Sequence, residues 1–148
     1  MTVRIRRWGR RIRAFHRLDA QTQAIACEAI AMLALARLMV LALPFHRIAK
    51  RLAVGASSGP MEAGVTRAAA VARMVRTAAR AMPFRAMCLE QAVATAAMLR
   101  RRHIPATIHL GTARNPHAAG FEAHAWLSVA GEVVVGGPID RYTELTQF

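Results

Sequence analysis

Two residues of this chain could do covalent chemistry, Cys27 and Cys88. Cys27 lies in an alanine-rich helical stretch and reads as a small core residue. Cys88 stands in "MPFRAMCLEQ", Met82 to Gln91, where a helical pattern starts after Pro83. A thiol in the first helical turn meets unpaired backbone N–H groups and the positive end of the helix dipole. Both favour thiolate, and the same N–H groups can hold an oxyanion. Arg85 adds positive charge nearby. A buried, inert cysteine is the plainer reading of the same position.

A nucleophilic thiol needs a base, and the chain offers six histidines. His16 and His46 fall in the basic helical half and read as surface residues. His103 closes the helix that Cys88 opens, about 20 Å away. His117 sits in a loop. His109 and His124 lie on candidate strands that could face the helix start. In "AHAW", Trp126 shares a sheet face with His124 and can shield its ring. No Cys/His spacing suits a metal, and no cofactor is expected.

The elements that must position these residues follow from periodicity. Gln21–Leu43 is apolar nearly all round, which predicts deep burial or a partner surface. Within it, Ala29–Phe45 is interrupted by Arg37 and closed by Pro44. That is too short for a clean membrane span, and a core helix is expected, with monotopic membrane contact as the minority alternative. Phe45–Leu52 is a short basic amphipathic piece, and Gly55–Pro60 is a linker. Met61–Ala81 is helical, with Val65, Ala68, Ala72, Val75, Ala79 and Met82 on one stripe and Arg73, Arg76 and Arg80 elsewhere. Cys88–His103 is the next helix, and Pro105 blocks its continuation. Thr107–Thr112 and Phe121–Val129 read as strands around an Arg114–Gly120 loop. Glu132–Val135 follows across Ala130-Gly131, a two-residue hairpin turn. The expected fold is α+β in one domain: a basic arm at 1–18, a helical region at 19–60 and a core at 61–148.

The net charge of +13 is mostly arginine, and hydrophobic residues make up 55%, which excludes a disordered chain. Seven arginines and no acid lie between Arg4 and Arg17. Such an arm suits phosphate backbone, an anionic membrane surface or an acidic peptide, and equally a solvated tail. Two cysteines without C-x-x-C spacing point to a reducing cytoplasm.

"CLEQAVATAAMLRRRHIPATIHLGT…GFEAHAWLSVAGEVVVGG", together with the upstream "LALPFHRIAKRLA", resembles the transglutaminase-like cysteine peptidases of lasso-peptide biosynthesis. These are the leader peptidases known as the B protein or its separate protease half. The resemblance implies a Cys-His-Asp mechanism, with Cys88 as nucleophile and His124 as base. It also implies a precursor-peptide substrate, a separate leader-recognition protein and an ATP-dependent macrocyclase as partners, with no specific nucleic acid. The family commonly carries an aspartate where this chain reads Val135-Gly136-Gly137. With a regular hairpin His124 would stand opposite Gly137, and Glu132 would be about 17 Å away. Asp140 is therefore the expected third member, folding back across Gly-Pro. Glu122, on the same face as His124, is the fallback, and a backbone carbonyl could serve instead. Gln91 reads as an ordinary helix residue. Two other functions fit parts of the sequence: a basic nucleic-acid or membrane-surface binding protein, and a transglutaminase-like amidase or acyltransferase on another acyl substrate.

Overall fold

Asp19 starts the first long helix. Its carboxylate accepts the Thr22 N–H at 2.9 Å, and helix α1 runs Ala20–Ala42 until Pro44 ends it. A computed structural model describes residues 15–52, 61–114 and 120–148. The arm through residue 14, the linker at 55–60 and the 115–119 part of the loop lie outside the described residues. Helix α2 is Phe45–Leu52, α3 is Met61–Ala79 and α4 is Cys88–Arg100. Four strands follow: β1 (Thr107–Arg114), β2 (Phe121–Val129), β3 (Glu132–Val135) and β4 (Thr143–Gln147). They form one antiparallel sheet in the order β3-β2-β1-β4. The fold is α+β, helices first and sheet second.

The core is where the helices meet one face of the sheet. Leu33, Val75, Val93, Leu99, Ile108 and Leu127 are among the fully or nearly fully buried members of a single cluster. Helix α4 is its centre and packs against α1, α3 and β2. Ion pairs fix α4 at both ends. Glu28 of α1 accepts from Arg102 (2.5 Å) and Arg101 (3.1 Å) just past the end of α4, and Arg37 meets Glu90 (2.6 Å) near its start. The two helices are therefore antiparallel.

Helix α4 stops at Arg100, three residues before the expected end. Arg101–His103 form a turn, and His103 takes a φ of 54°. The chain then reverses into β1.

Three features depart from the sequence reading. Strand β4 was not expected, because "TELTQ" has no apolar alternation and all five residues are exposed. Backbone pairing to β1, from Thr112–Thr143 to His109–Gln147, holds it, with one side-chain contact from Glu144 to His109. Cys27 is exposed and not a core residue, because it falls on the side of α1 away from Ala29, Leu33 and Ala36. Helix α1 is likewise buried along one side only. It is also the one helix among the described residues that is long and apolar enough to cross a membrane.

Candidate active site

Cys88 is the first residue of α4 and half-buried. Its approach loop is tied down from inside the helix. The Glu90 carboxylate, itself buried, accepts the Met87 N–H at 2.5 Å through one oxygen and pairs with Arg37 through the other. This is the reciprocal half of a capping box: a glutamate at N3 reaching back to the N-cap backbone. Gln91 donates its amide to the Ala86 carbonyl at 2.8 Å, and the Arg37 guanidinium lies 5.7 Å over the Phe84 ring. Gln91 is thus no ordinary helix residue. It and Glu90 fix the geometry of residues 84–87, and the spacing of Glu90 from Met87 was the available signal for that role.

His124 stands in β2. Its Nε2 lies 2.6 Å from the Gly136 carbonyl oxygen. A carbonyl can only accept, so Nε2 carries the proton and Nδ1 keeps the free lone pair of the neutral ring. The ring stacks with two aromatics. Trp126 stacks at 6.3 Å between centroids and 24°, and Tyr142 at 4.5 Å and 23°.

Each aromatic has its own anchor. Trp126 is buried and stacks flat on His109 at 5.3 Å. His109 in turn contacts Ser128 Oγ through Nε2 (2.7 Å) and Glu144 through Nδ1 (3.1 Å). The Trp126 ring crosses Gly111, where a Cβ would meet ring carbons at 2.7–2.8 Å. The Tyr142 hydroxyl donates to Glu122 at 2.6 Å, and Arg141 donates to the same oxygen at 2.8 Å. The Tyr142 hydrogen bond first, and then the Arg141 charge, hold the Glu122 carboxyl below its ordinary value, while the bond to Glu122 and desolvation push the Tyr142 phenol up against the opposing pull of Arg141.

The expected orienting acids are placed as follows. Asp140 is exposed in the turn before Tyr142 and makes no hydrogen bond among the described residues. Glu122 is bound to Arg141 and Tyr142, not to the imidazole. The partner of Nε2 is the backbone at Gly136. The regular hairpin register explains the difference. Ala130 and Gly131 do form the tight turn, with φ of 52° and 82°. However, β3 carries a bulge, so Leu127 pairs with Val135 rather than Val134, and the ladder stops there. The chain leaves β3 at Gly136 with φ 88°, a conformation open to glycine, and a Cβ there would meet the Ala125 carbonyl at 2.7 Å. The returning segment does reach the imidazole, but it delivers Tyr142.

Cys88 and His124 share no hydrogen bond among the described residues. Side-chain alternation along β2 sends Leu127 and Val129 into the helical core and His124, Trp126 and Ser128 to the other face. A groove of about 490 Å³ runs between α3 and β3. Its lining includes Val65, Arg73, Arg76, Val133, Gly136 and Gly137. No group of three or more metal-ligating side chains occurs among the described residues.

A family model described as the transglutaminase-like superfamily matches residues 29–147. The chain belongs to the transglutaminase-like superfamily. The match begins inside α1, whose Ala29, Leu33 and Ala36 share the core with α4. No curated protein and no solved structure gives a significant match. Membership points to cysteine-hydrolase chemistry, for which a cysteine at a helix start and a histidine on the following sheet are the matching residue types.

Proposed function

We propose that this superfamily member is a cysteine peptidase that removes the leader from a ribosomally made lasso-peptide precursor. The observation that carries the reading is the His124 Nε2 contact with the Gly136 carbonyl, in a chain whose Cys88 opens a helix. Nδ1 is then the base. It takes the Cys88 thiol proton as sulfur adds to the scissile carbonyl carbon. The resulting imidazolium gives that proton to the leaving amine as the C–N bond breaks. Water, deprotonated by the same nitrogen, adds to the thioester, and cleavage of the C–S bond frees the acid and the thiol. Backbone N–H groups in the first turn of α4 stabilise the oxyanion.

In this reading the orienting role expected of Asp140 falls to the Gly136 carbonyl. For proton transfer the Cys88 sulfur must reach His124 around the flank of β2 that β3 leaves unpaired beyond Val135. The groove along β3 gives an extended peptide a path to that point. The likeness of the Cys-Leu, Arg-Arg-x-Ile-Pro and Ala-His-Ala-Trp motifs to the lasso leader peptidases supports the substrate class. A separate recognition protein would deliver the precursor, a macrocyclase would take the freed core, and the cytoplasm would be the compartment.

The test incubates the protein with a candidate lasso precursor and its recognition protein and follows cleavage by mass. Cleavage by wild type, lost in both Cys88→Ala and His124→Ala, is the expected result. Equal cleavage by either variant sinks the reading.

A further inference from the structure

Beyond its first turn, and apart from the ion-paired Glu28 and Arg37, helix α1 is apolar, yet the protein covers one side of it. Ala26, Ala29, Leu33 and Ala36 face the core. At 100° per residue, Leu35 and Leu38 fall on the opposite side with Cys27, and Ile30 and Leu41 lie on the adjoining flank. Their exposures are 43% for Ile30, 46% for Leu35, 63% for Leu38 and 68% for Leu41. A contiguous apolar stripe of this kind on a soluble surface marks an interaction site.

Charge decides among its occupants. The only acid in α1 is Glu28, and it is paired with Arg101 and Arg102. The stripe ends at Leu41, close to the turn into α2, where His46, Arg47 and Lys50 are exposed and no acid occurs. The whole chain is +13, and the sequence before α1 holds seven arginines from Arg4 to Arg17. A second copy would set this charge against itself. An anionic surface with an apolar interior complements both the leucines and the cations.

We propose that the exposed stripe of α1, with the basic helix α2 beside its end, seats the protein on an anionic lipid surface. The helix lies in the interface and does not span. The leucines enter the acyl boundary while Arg47 and Lys50 stay with the phosphates.

The test is co-sedimentation of the full chain with vesicles of phosphatidylcholine alone, and of phosphatidylcholine with about one-third phosphatidylglycerol. Binding to the anionic vesicles and not the neutral ones is expected, weakened by salt of about 0.5 M. Leu38→Ser/Leu41→Ser is expected to bind about tenfold or more weakly, with unchanged circular dichroism. Arg47→Glu/Lys50→Glu loses binding without touching the stripe. Leu145→Ser, an equally exposed leucine on β4, leaves it unchanged. Failure of wild type to sediment with anionic vesicles overturns the proposal, as does equal binding by the Leu38→Ser/Leu41→Ser variant. So does a stripe whose mutation dissolves a dimer, or releases an acidic protein partner, while vesicle binding is absent.

Discussion

Replacing Glu90 tests how the start of α4 is built. This carboxylate is 2% exposed, and its oxygens serve the Met87 N–H and the Arg37 guanidinium. Removing one partner of a buried ion pair costs about 3–5 kcal/mol. Here the Arg37 side chain is 38% exposed, so water can take over part of its solvation. The released Met87 N–H lies at a helix end and adds about 1 kcal/mol as a lost cap. Glu90→Ala should therefore destabilise the protein by about 2–4 kcal/mol. For a domain of this size that lowers Tm by roughly 5–15 °C. Glu90→Gln has the same shape but one acceptor for two donors, and should cost about 1–2 kcal/mol. Urea unfolding followed by circular dichroism at neutral pH measures both. A double cycle with Arg37→Ala should give a coupling above about 1 kcal/mol. A Glu90→Ala loss under about 0.5 kcal/mol, or a coupling of zero, would refute this account of the helix start.

Three further outcomes follow from the site. Gly111→Ala places a methyl group against the Trp126 ring and the Thr143 carbonyl at 2.7–2.8 Å. It should cost about 1–3 kcal/mol and change tryptophan fluorescence, whereas an unchanged protein would mean that the ring does not lie there. Tyr142→Phe keeps the ring on His124 and loses only the hydroxyl's bonds to Glu122 and Arg141, while Tyr142→Ala removes the ring as well. Turnover should fall much further in the second, and equal values would remove Tyr142 from the support of His124. Glu28 is held below its ordinary value of 4.5, first by the Arg102 hydrogen bond. A depressed carboxyl stabilises fully above its unfolded value and loses that contribution as pH falls through the folded one. The stability gap between wild type and Glu28→Gln should therefore be constant near pH 7 and narrow as pH falls below 4.5 toward the depressed folded value. A gap that persists at the acid end contradicts the clamp.

Much of this architecture could be read from residue patterns. Residue patterning located the four helices α1 to α4 among the described residues, and Ala130-Gly131 between two β-rich runs located the hairpin. What escaped was whatever depends on backbone pairing or on distant partners. Strand β4 has no apolar rhythm because β1 holds it through main-chain bonds. The bulge in β3 cannot be seen in "EVVV", with its three identical valines, yet it shifts the register by one position and the ladder ends at Val135, just before the Gly136 carbonyl that meets His124. Cys27 looked buried because α1 is apolar on every side, and only the packed structure tells which side is covered. Glu90 carried a legible signal in its spacing from Met87, but its partner Arg37 lies fifty-three residues away.

The most direct test of the Cys88–His124 pairing needs no substrate. Cys27, exposed on α1, serves as an ordinary thiol inside the same molecule. Iodoacetamide alkylation of both cysteines can be followed by peptide mass mapping across neutral pH. Cys88 should react faster than Cys27 despite being less exposed, and His124→Ala should slow Cys88 about tenfold or more while leaving Cys27 unchanged. A Cys88 rate that is slower than that of Cys27, or unaffected by loss of the imidazole, would contradict the pairing.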